Sequence, residues 1–475
     1  MVIFNWVERL ALSSVALGVA FWLPARWSPC RAQTASGKSV TKRRLGSVDG
    51  WRARLSPRFG RLRQRRRRDS RCAYNCNMNP RLDLLQPYSF ERLRKLLAGV
   101  TPAQGFRHIN LSIGEPQHPT PSFILKALAD NFDGLARYPQ TAGSDALRDA
   151  IVGWVSRRHG LAGLTREHVL PVSGSREGLF SIAQVLIDPL DTQALVVSPN
   201  PFYQLYEGAA LLAGATPYYL NTTPANGFAM DWAGVPADIM KRVRVAYVCS
   251  PGNPTGTVMG LDAWREVFAL SDQYGFVVVS DECYSEIYFD EGNAPLGALA
   301  AAAQLGRSNY RNLIVMESLS KRSNVPGMRS GFAAGDPALM KKFLLYRTYH
   351  GCAMSGTVQA ASAAAWNDEA HVIENRRLYR EKFDAFFDIV NPVLALTRPE
   401  AAFYYWTKTP AGMSDEAFTV RLLERANVTV LPGSYLSREA HGINPGSGFV
   451  RIALVSTVDD AVEAAQRIRT FCNDL

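Results

Sequence analysis

Leu313-Ile314-Val315-Met316-Glu317-Ser318-Leu319-Ser320-Lys321 is the stretch on which the reading of this chain turns. Four consecutive apolar residues suit a strand buried on both faces of a parallel sheet, where no polar alternation is required. The run then stops in two hydroxyls and an amine. Arg329 follows, ahead of Ser330-Gly331-Phe332. Most lysines sit on a solvated surface; one that closes an apolar strand among small polar neighbours, with an arginine a short loop away, suits a Schiff-base lysine beside a phosphate site.

Outward from this stretch, apolar runs alternate with helical patterns, the sign of an α/β fold with a mainly parallel sheet. Strands are expected at 169–173, 194–198, 243–250, 276–280, 313–317 and 331–334. Nearly every one runs into an unusual polar cluster: Gly174-Ser175-Arg176, Asn200-Pro201-Phe202-Tyr203, Asn253-Pro254-Thr255-Gly256, Asp281-Glu282-Cys283-Tyr284 and Ser318-Leu319-Ser320-Lys321. Ligands of open parallel sheets bind beyond the carboxyl ends of the strands, so these clusters are expected to converge on one site. Toward the C-terminus the character changes. Strands at 402–406, 428–431 and 449–455 and helices at 415–426 and 457–471 imply a smaller α+β domain.

The 475 residues suit two domains and an appendage. The net charge of +11 is unevenly placed. Residues 1–77 carry 17 Lys+Arg against 3 Asp+Glu, a net of +14, which leaves the remaining 398 residues at −3. The segment 61–71 holds seven arginines and would attract nucleic acid or anionic lipid if exposed. The uncharged stretch 10–23 is shorter than the ~20 apolar residues of a membrane span. Lacking a positive leader and a small-residue cleavage site, it also makes a poor signal peptide. The expectation is that Met78 is the natural start and that 1–77 is an Arg-rich extension outside the fold. The body is expected to bind neither nucleic acid nor membrane. Seven scattered cysteines fit a reduced, cytoplasmic compartment and show no metal-site spacing; Cys72 and Cys76 lack nearby partners.

Each polar cluster offers chemistry. Glycine before a helix, as at Gly174-Ser175-Arg176, frees backbone amides for a phosphate, although such a turn is often only a turn. Asp281 after Val277-Val278-Val279 would be costly to bury unpaired. A protonated ring nitrogen would pair it. Arg451, mid-strand in Phe449-Val450-Arg451-Ile452-Ala453, is either a solvent-facing arginine or a bidentate clamp for a carboxylate.

Taken together, residues 78–475 resemble the class I/II, fold-type I aminotransferases, which use pyridoxal 5'-phosphate (PLP). The resemblance implies Lys321 as the Schiff-base lysine, with Asp281 on the pyridine nitrogen and Asn253 and Tyr284 on the phenolic oxygen. It puts Tyr203 against the ring and Ser175, Arg176, Ser318 and Arg329 at the phosphate. Arg451 would take the substrate carboxylate, with Asn253 and with Gly114 of Ile113-Gly114-Glu115-Pro116 on the substrate side. Tyr138 matches a tyrosine that reaches the partner subunit's phosphate, implying a homodimer with shared sites. It also implies an N-terminal arm and part of a small domain over 78–125, a large PLP-binding domain over 126–365 and a C-terminal small domain over 366–475. In one departure, Ala401-Ala402 stands where the family often carries glycine before Phe403-Tyr404.

Within the family, Lys321–Arg329, Arg347–Ser355 and Met78–Leu82 are most similar to N-succinyldiaminopimelate aminotransferases of lysine biosynthesis. Those enzymes exchange an amino-acid donor and a 2-oxo acid acceptor, here N-succinyl-L,L-diaminopimelate and 2-oxoglutarate. Such a substrate carries several carboxylates, so extra cations near the site are expected; Arg322 or Arg347 could supply them, although each reads more readily as an ordinary surface or loop charge. Alternatives are an aminotransferase for aspartate, kynurenine or aromatic amino acids, a PLP β-lyase, or an aminotransferase-like DNA-binding regulator. The last needs a three-helix head, and residues 25–77 lack the apolar periodicity for one.

Overall fold

The computed structural model describes residues 78–475. The expectations for 1–77, including Cys72 and Cys76, lie outside the described residues. A seven-stranded sheet forms the centre, in the spatial order Val169–Val172, Gly331–Gly335, Leu313–Ser318, Val277–Asp281, Val243–Cys249, Leu195–Asn200, Thr216–Asn221. Gly331–Gly335 runs antiparallel to both its neighbours, while the other pairings are parallel. The central strands are buried along their whole length, with apolar clusters on both faces. That two-sided burial is why their sequences read as continuous apolar runs.

Thr216–Asn221, the edge strand that pairs with Leu195–Asn200, is absent from the sequence reading. Pro217 and a half-exposed face hide it, and both are tolerated only at an edge. The run expected as a single strand over 428–431 divides between two sheets. Val428–Thr429 pairs in parallel with Ile109–Asn110, whereas Leu431–Pro432 lies against Arg451 and Val450. Val430, fully buried, is the crossing point.

The second of these is a three-stranded antiparallel sheet, ordered Leu431–Pro432, Phe449–Ala453, Tyr404–Lys408. It shares a core with helices Ala370–Leu394, Asp415–Ala426 and Val458–Asn473, built from Phe383, Phe386, Tyr405, Phe418 and Ile468. Thr457 caps the last helix by accepting from Asp460 N, which explains why the helix begins there. Ala402, at the departure from the family pattern, has φ 69°, the left-handed conformation that glycine adopts without strain. Among the described residues, no helix is long and apolar enough to cross a membrane.

Candidate active site

A cavity of about 550 Å³ opens at the carboxyl ends of the central strands, within the usual size of a small-molecule site. Of the candidate residues, all line it except Tyr138, Arg322 and Arg347. Tyr138 is fully exposed, 103 %, and stands apart from the cavity of its own chain.

Strand Leu313–Ser318 ends in Ser318, whose hydroxyl accepts from Ser320 N at 3.1 Å and caps a single helical turn, Leu319–Arg322. That turn aims Lys321 across the cavity, where Nζ donates to Gly114 O at 2.8 Å. Burial pulls the ammonium down to about 8, opposed by Cys283 and assisted by Arg451. An amine with that proton affinity is partly neutral, and so nucleophilic, near neutral pH.

Asp281 ends the adjacent strand and is 3 % exposed. Its donors are a phenol and an amide: Tyr206 OH to Oδ2 at 2.7 Å and Cys283 N to Oδ1 at 3.4 Å. Burial raises its pKa, and these two bonds oppose the rise. Tyr206 in turn stacks on Tyr247 at 4.7 Å.

On the opposite wall, Arg451 donates from Nη1 to Asn253 Oδ1 at 3.0 Å and from Nη2 to Ser112 O at 2.8 Å. Its guanidinium lies 4.3 Å from the Tyr404 ring, and its buried Nε has no partner among the described residues. The bond to Oδ1 leaves Asn253 its amide hydrogens as donors. Tyr284 and Tyr404 share a hydroxyl–hydroxyl bond of 2.8 Å.

Helix Ser175–Leu186 opens toward the cavity behind Gly174, which has φ 84° and ψ 151°. A Cβ at Gly174 would overlap Arg329 Nη2, so the missing side chain is what admits the guanidinium. Arg329 is held by Pro326 O at 2.9 Å and Ser173 O at 3.3 Å. Arg176 Nε donates to Tyr203 OH at 2.5 Å, tying that helix to the ring opposite.

Arg322 and Arg347 are neither a further cation in the cavity nor ordinary surface charges. Both are 1 % exposed and neither lines the cavity. Arg322 packs against the touching pair Trp154 and Trp366 and bonds Glu369 Oε1 at 2.5 Å and Ala365 O at 2.8 Å. Arg347 is paired with Glu177 and bonds Cys352 O at 3.0 Å. Ligand atoms of Glu177, His350 and Cys352 fall within 4.8 Å of one another, but Arg347 already neutralises that carboxylate. The sequence reading missed Tyr206 and Tyr404 as site residues. Tyr206 lies three residues after Tyr203 in the first turn of helix Leu205–Ala213, and Tyr404 belongs to the noted Phe-Tyr pair; those positions were the available signals.

A parallel sheet presenting a buried amine, a buried carboxylate and an anion cradle at its carboxyl edge defines a PLP-dependent enzyme of fold type I. Residues 107–468 match the sequence model described as aminotransferase class I and II. The chain belongs to that family. An LL-diaminopimelate aminotransferase of Desulforudis audaxviator is 34% identical over 394 residues, 82% of this chain and 96% of that protein. An aminotransferase from Neisseria meningitidis Z2491 superposes with a TM-score of 0.80 at 51% identity, covering 83% of this chain and 99% of that one. A probable N-succinyldiaminopimelate aminotransferase from Thermus thermophilus gives 0.72 at 27% identity, covering 81% and 100%. PLP is the cofactor of this family, and the residues present suit it. A pyridinium nitrogen would supply the positive charge that buried Asp281 lacks in its phenol and amide donors. The first-turn amides of Ser175–Leu186 and the Gly174–Arg329 cradle suit a phosphate dianion.

Proposed function

We propose that this aminotransferase moves the amine of N-succinyl-L,L-2,6-diaminopimelate to 2-oxoglutarate, giving N-succinyl-2-amino-6-oxopimelate and glutamate, a step of lysine and diaminopimelate biosynthesis. The observation that carries the transaminase chemistry is the buried, partly neutral amine of Lys321 in one cavity with Asp281 and Arg451. When bound, PLP supplies the electron sink that takes up the electron pair of the broken Cα–H bond.

The chain's own residues do the rest. Arg451 clamps the α-carboxylate, with Asn253 and the Ser112 carbonyl holding the guanidinium in place. Asp281 keeps a proton on the ring nitrogen, and Tyr206 fixes the orientation of its carboxylate. Asn253 and Tyr284, on the cavity wall, would donate to the phenolic oxygen, and Tyr203 would cover the ring. Ser175, Arg176, Ser318 and Arg329 would hold the phosphate, Ser175 through the helix N-terminus. Lys321 Nζ, once free, would take the proton from the substrate α-carbon as general base and hold it on the cavity side. Gly114 O is its resting acceptor. Tyr138, exposed in the protomer, completes the phosphate site of a partner in a homodimer.

The N-succinyl substrate draws support from the Thermus neighbour and from the likeness of Lys321–Arg329 and Arg347–Ser355 to that group. A second reading is unmodified L,L-diaminopimelate. The relatives at 30–34% identity carry that name, and Glu115 on the cavity wall offers a carboxylate to a free distal ammonium. The deciding experiment loads the protein with PLP and adds N-succinyl-L,L-diaminopimelate, L,L-diaminopimelate or glutamate alone. Conversion of the absorption band to that of the pyridoxamine form, reversed by 2-oxoglutarate, identifies the donor. Conversion by L,L-diaminopimelate but not its succinyl derivative would establish the second reading. Conversion by glutamate alone would discard both.

A further inference from the structure

Lys321 is tied at both ends, and one residue outside the cavity controls both ties. The turn Leu319–Arg322 ends too soon to give the Lys321 and Arg322 carbonyls helical partners. Asn375, on helix Ala370–Leu394 and 2 % exposed, supplies one from Nδ2, at 3.2 Å to Lys321 O and 3.5 Å to Arg322 O. Its Oδ1 accepts from Asn324 Nδ2 at 3.0 Å and meets His118 Nδ1 at 2.7 Å. With both ends of the amide used, a flipped Asn375 would set an NH2 against an NH2 and a carbonyl against two carbonyls. The same accounting makes His118 the donor through Nδ1–H. Burial lowers the pKa of His118 to about 4, so the ring is neutral at working pH. It also packs on Tyr379 at 4.6 Å.

His118 belongs to the loop that carries Gly114, the acceptor of Lys321 Nζ. A closed circuit results: Lys321 side chain to Gly114, chain to His118, His118 to Asn375, Asn375 back to the Lys321 carbonyl. Thr120 Oγ1 to Asn324 O, 3.0 Å, braces it. Resting on the reading of Lys321 given above, we propose that Asn375, oriented by His118, is a positioning residue that sets where the Lys321 amine rests whenever it is off the cofactor. Neither residue lines the cavity. A loosened circuit lets the amine drift from its place over the substrate and admits water around it. The charged or titratable groups acting on Lys321 are Cys283, Arg451, Glu115, Arg176 and Asp281, and those acting on His118 are Lys382 and Glu374. All remain in the variants below.

The test compares His118→Ala, His118→Asn, whose amide can take the place of Nδ1–H, and Asn375→Ala with the wild type. In the holoenzyme, kcat should fall about tenfold in His118→Ala and about a hundredfold in Asn375→Ala, the scale of a misplaced reacting group. KM should stay within about threefold in both, and His118→Asn should recover kcat. In the apoprotein, the pH midpoint for labelling Lys321 with an amine-reactive reagent, followed by peptide mass spectrometry, should rise by about half a unit or more in both alanine variants, because a better-hydrated ammonium holds its proton longer. Folded alanine variants with wild-type kcat and midpoint, or with only a lowered Tm, overturn the inference. If Asn375→Ala does not fold, the His118 pair decides alone. A wild type that forms no lysine-linked absorption band with PLP overturns the reading of Lys321 and this inference with it. A normal wild-type band with unchanged variants sinks the inference only.

Discussion

Gly174→Ala separates backbone strain from cofactor binding at one position. Gly174 has φ 84° and ψ 151°, a region open essentially to glycine alone, so any side chain costs roughly 1–3 kcal/mol of stability. The new methyl would also overlap Arg329 Nη2 and stand 2.9 Å from its Cζ. Arg329 must then leave, giving up its bonds to Ser173 O and Pro326 O. A displaced guanidinium forfeits a charge-assisted phosphate contact of about 1.5–3 kcal/mol, roughly a 10- to 150-fold weaker PLP affinity. The assay is absorbance titration of the apoprotein with PLP, run beside a thermal melt without cofactor. Arg329→Met should lose a similar factor in affinity without the strain. In that background Gly174→Ala should lower Tm but weaken PLP little further, because both changes act through one group. A Gly174→Ala protein with lowered Tm and PLP affinity within threefold of wild type would refute the cradle.

Lys321→Ala should still bind PLP yet show neither the lysine-linked absorption band nor transamination; turnover in this variant would remove the proposed chemistry. Arg451→Lys keeps the charge but cannot hold Asn253, Ser112 and a carboxylate together. Its kcat/KM for dicarboxylic donors should drop by about 2 kcal/mol or more, roughly thirtyfold, and a fall below threefold would refute the clamp. Lys382, 1 % exposed, donates to Ser456 O at 2.7 Å, and burial pulls its pKa from 10.5 to about 7. Between those values the unfolded chain binds a proton that the folded chain has lost, so this group makes stability rise with pH, by up to about 1.4 kcal/mol per unit. Lys382→Met should flatten that rise in unfolding measurements from pH 7 to 10; parallel wild-type and mutant curves would contradict it.

How much of the molecule was legible follows from what each signal measures. Continuous apolar runs report burial on two faces, and they marked the five inner strands of the large sheet and the fully buried edge strand Val169–Val172. Thr216–Asn221 escaped because an edge strand is half wet and its Pro217 resembles a stop. Site residues were readable where they sit directly after a strand, as Asp281, Asn253 and Lys321 do, because the sheet brings those ends together whatever else the chain does. Arg322 and Arg347 were misread for the converse reason. Their partners, Trp154, Trp366, Glu369 and Glu177, come from other elements, and nothing beside an arginine in sequence announces that a pair of tryptophans will pack against it.

Hydroxyl and amide partners are harder still to read. Tyr206 lies 75 residues from Asp281, Tyr404 lies 120 from Tyr284, and Asn375 lies 54 from Lys321. The amine and the carboxylate proposed to do the chemistry, Lys321 and Asp281, are thus tied to strand ends, where topology fixes them. Those that aim them ride on helices and loops, where the choice of partner depends on packing angles that no local pattern encodes. That division predicts where sequence inspection of a related chain will fail: it will find the amine and the carboxylate, and it will miss the asparagine that holds the amine in place.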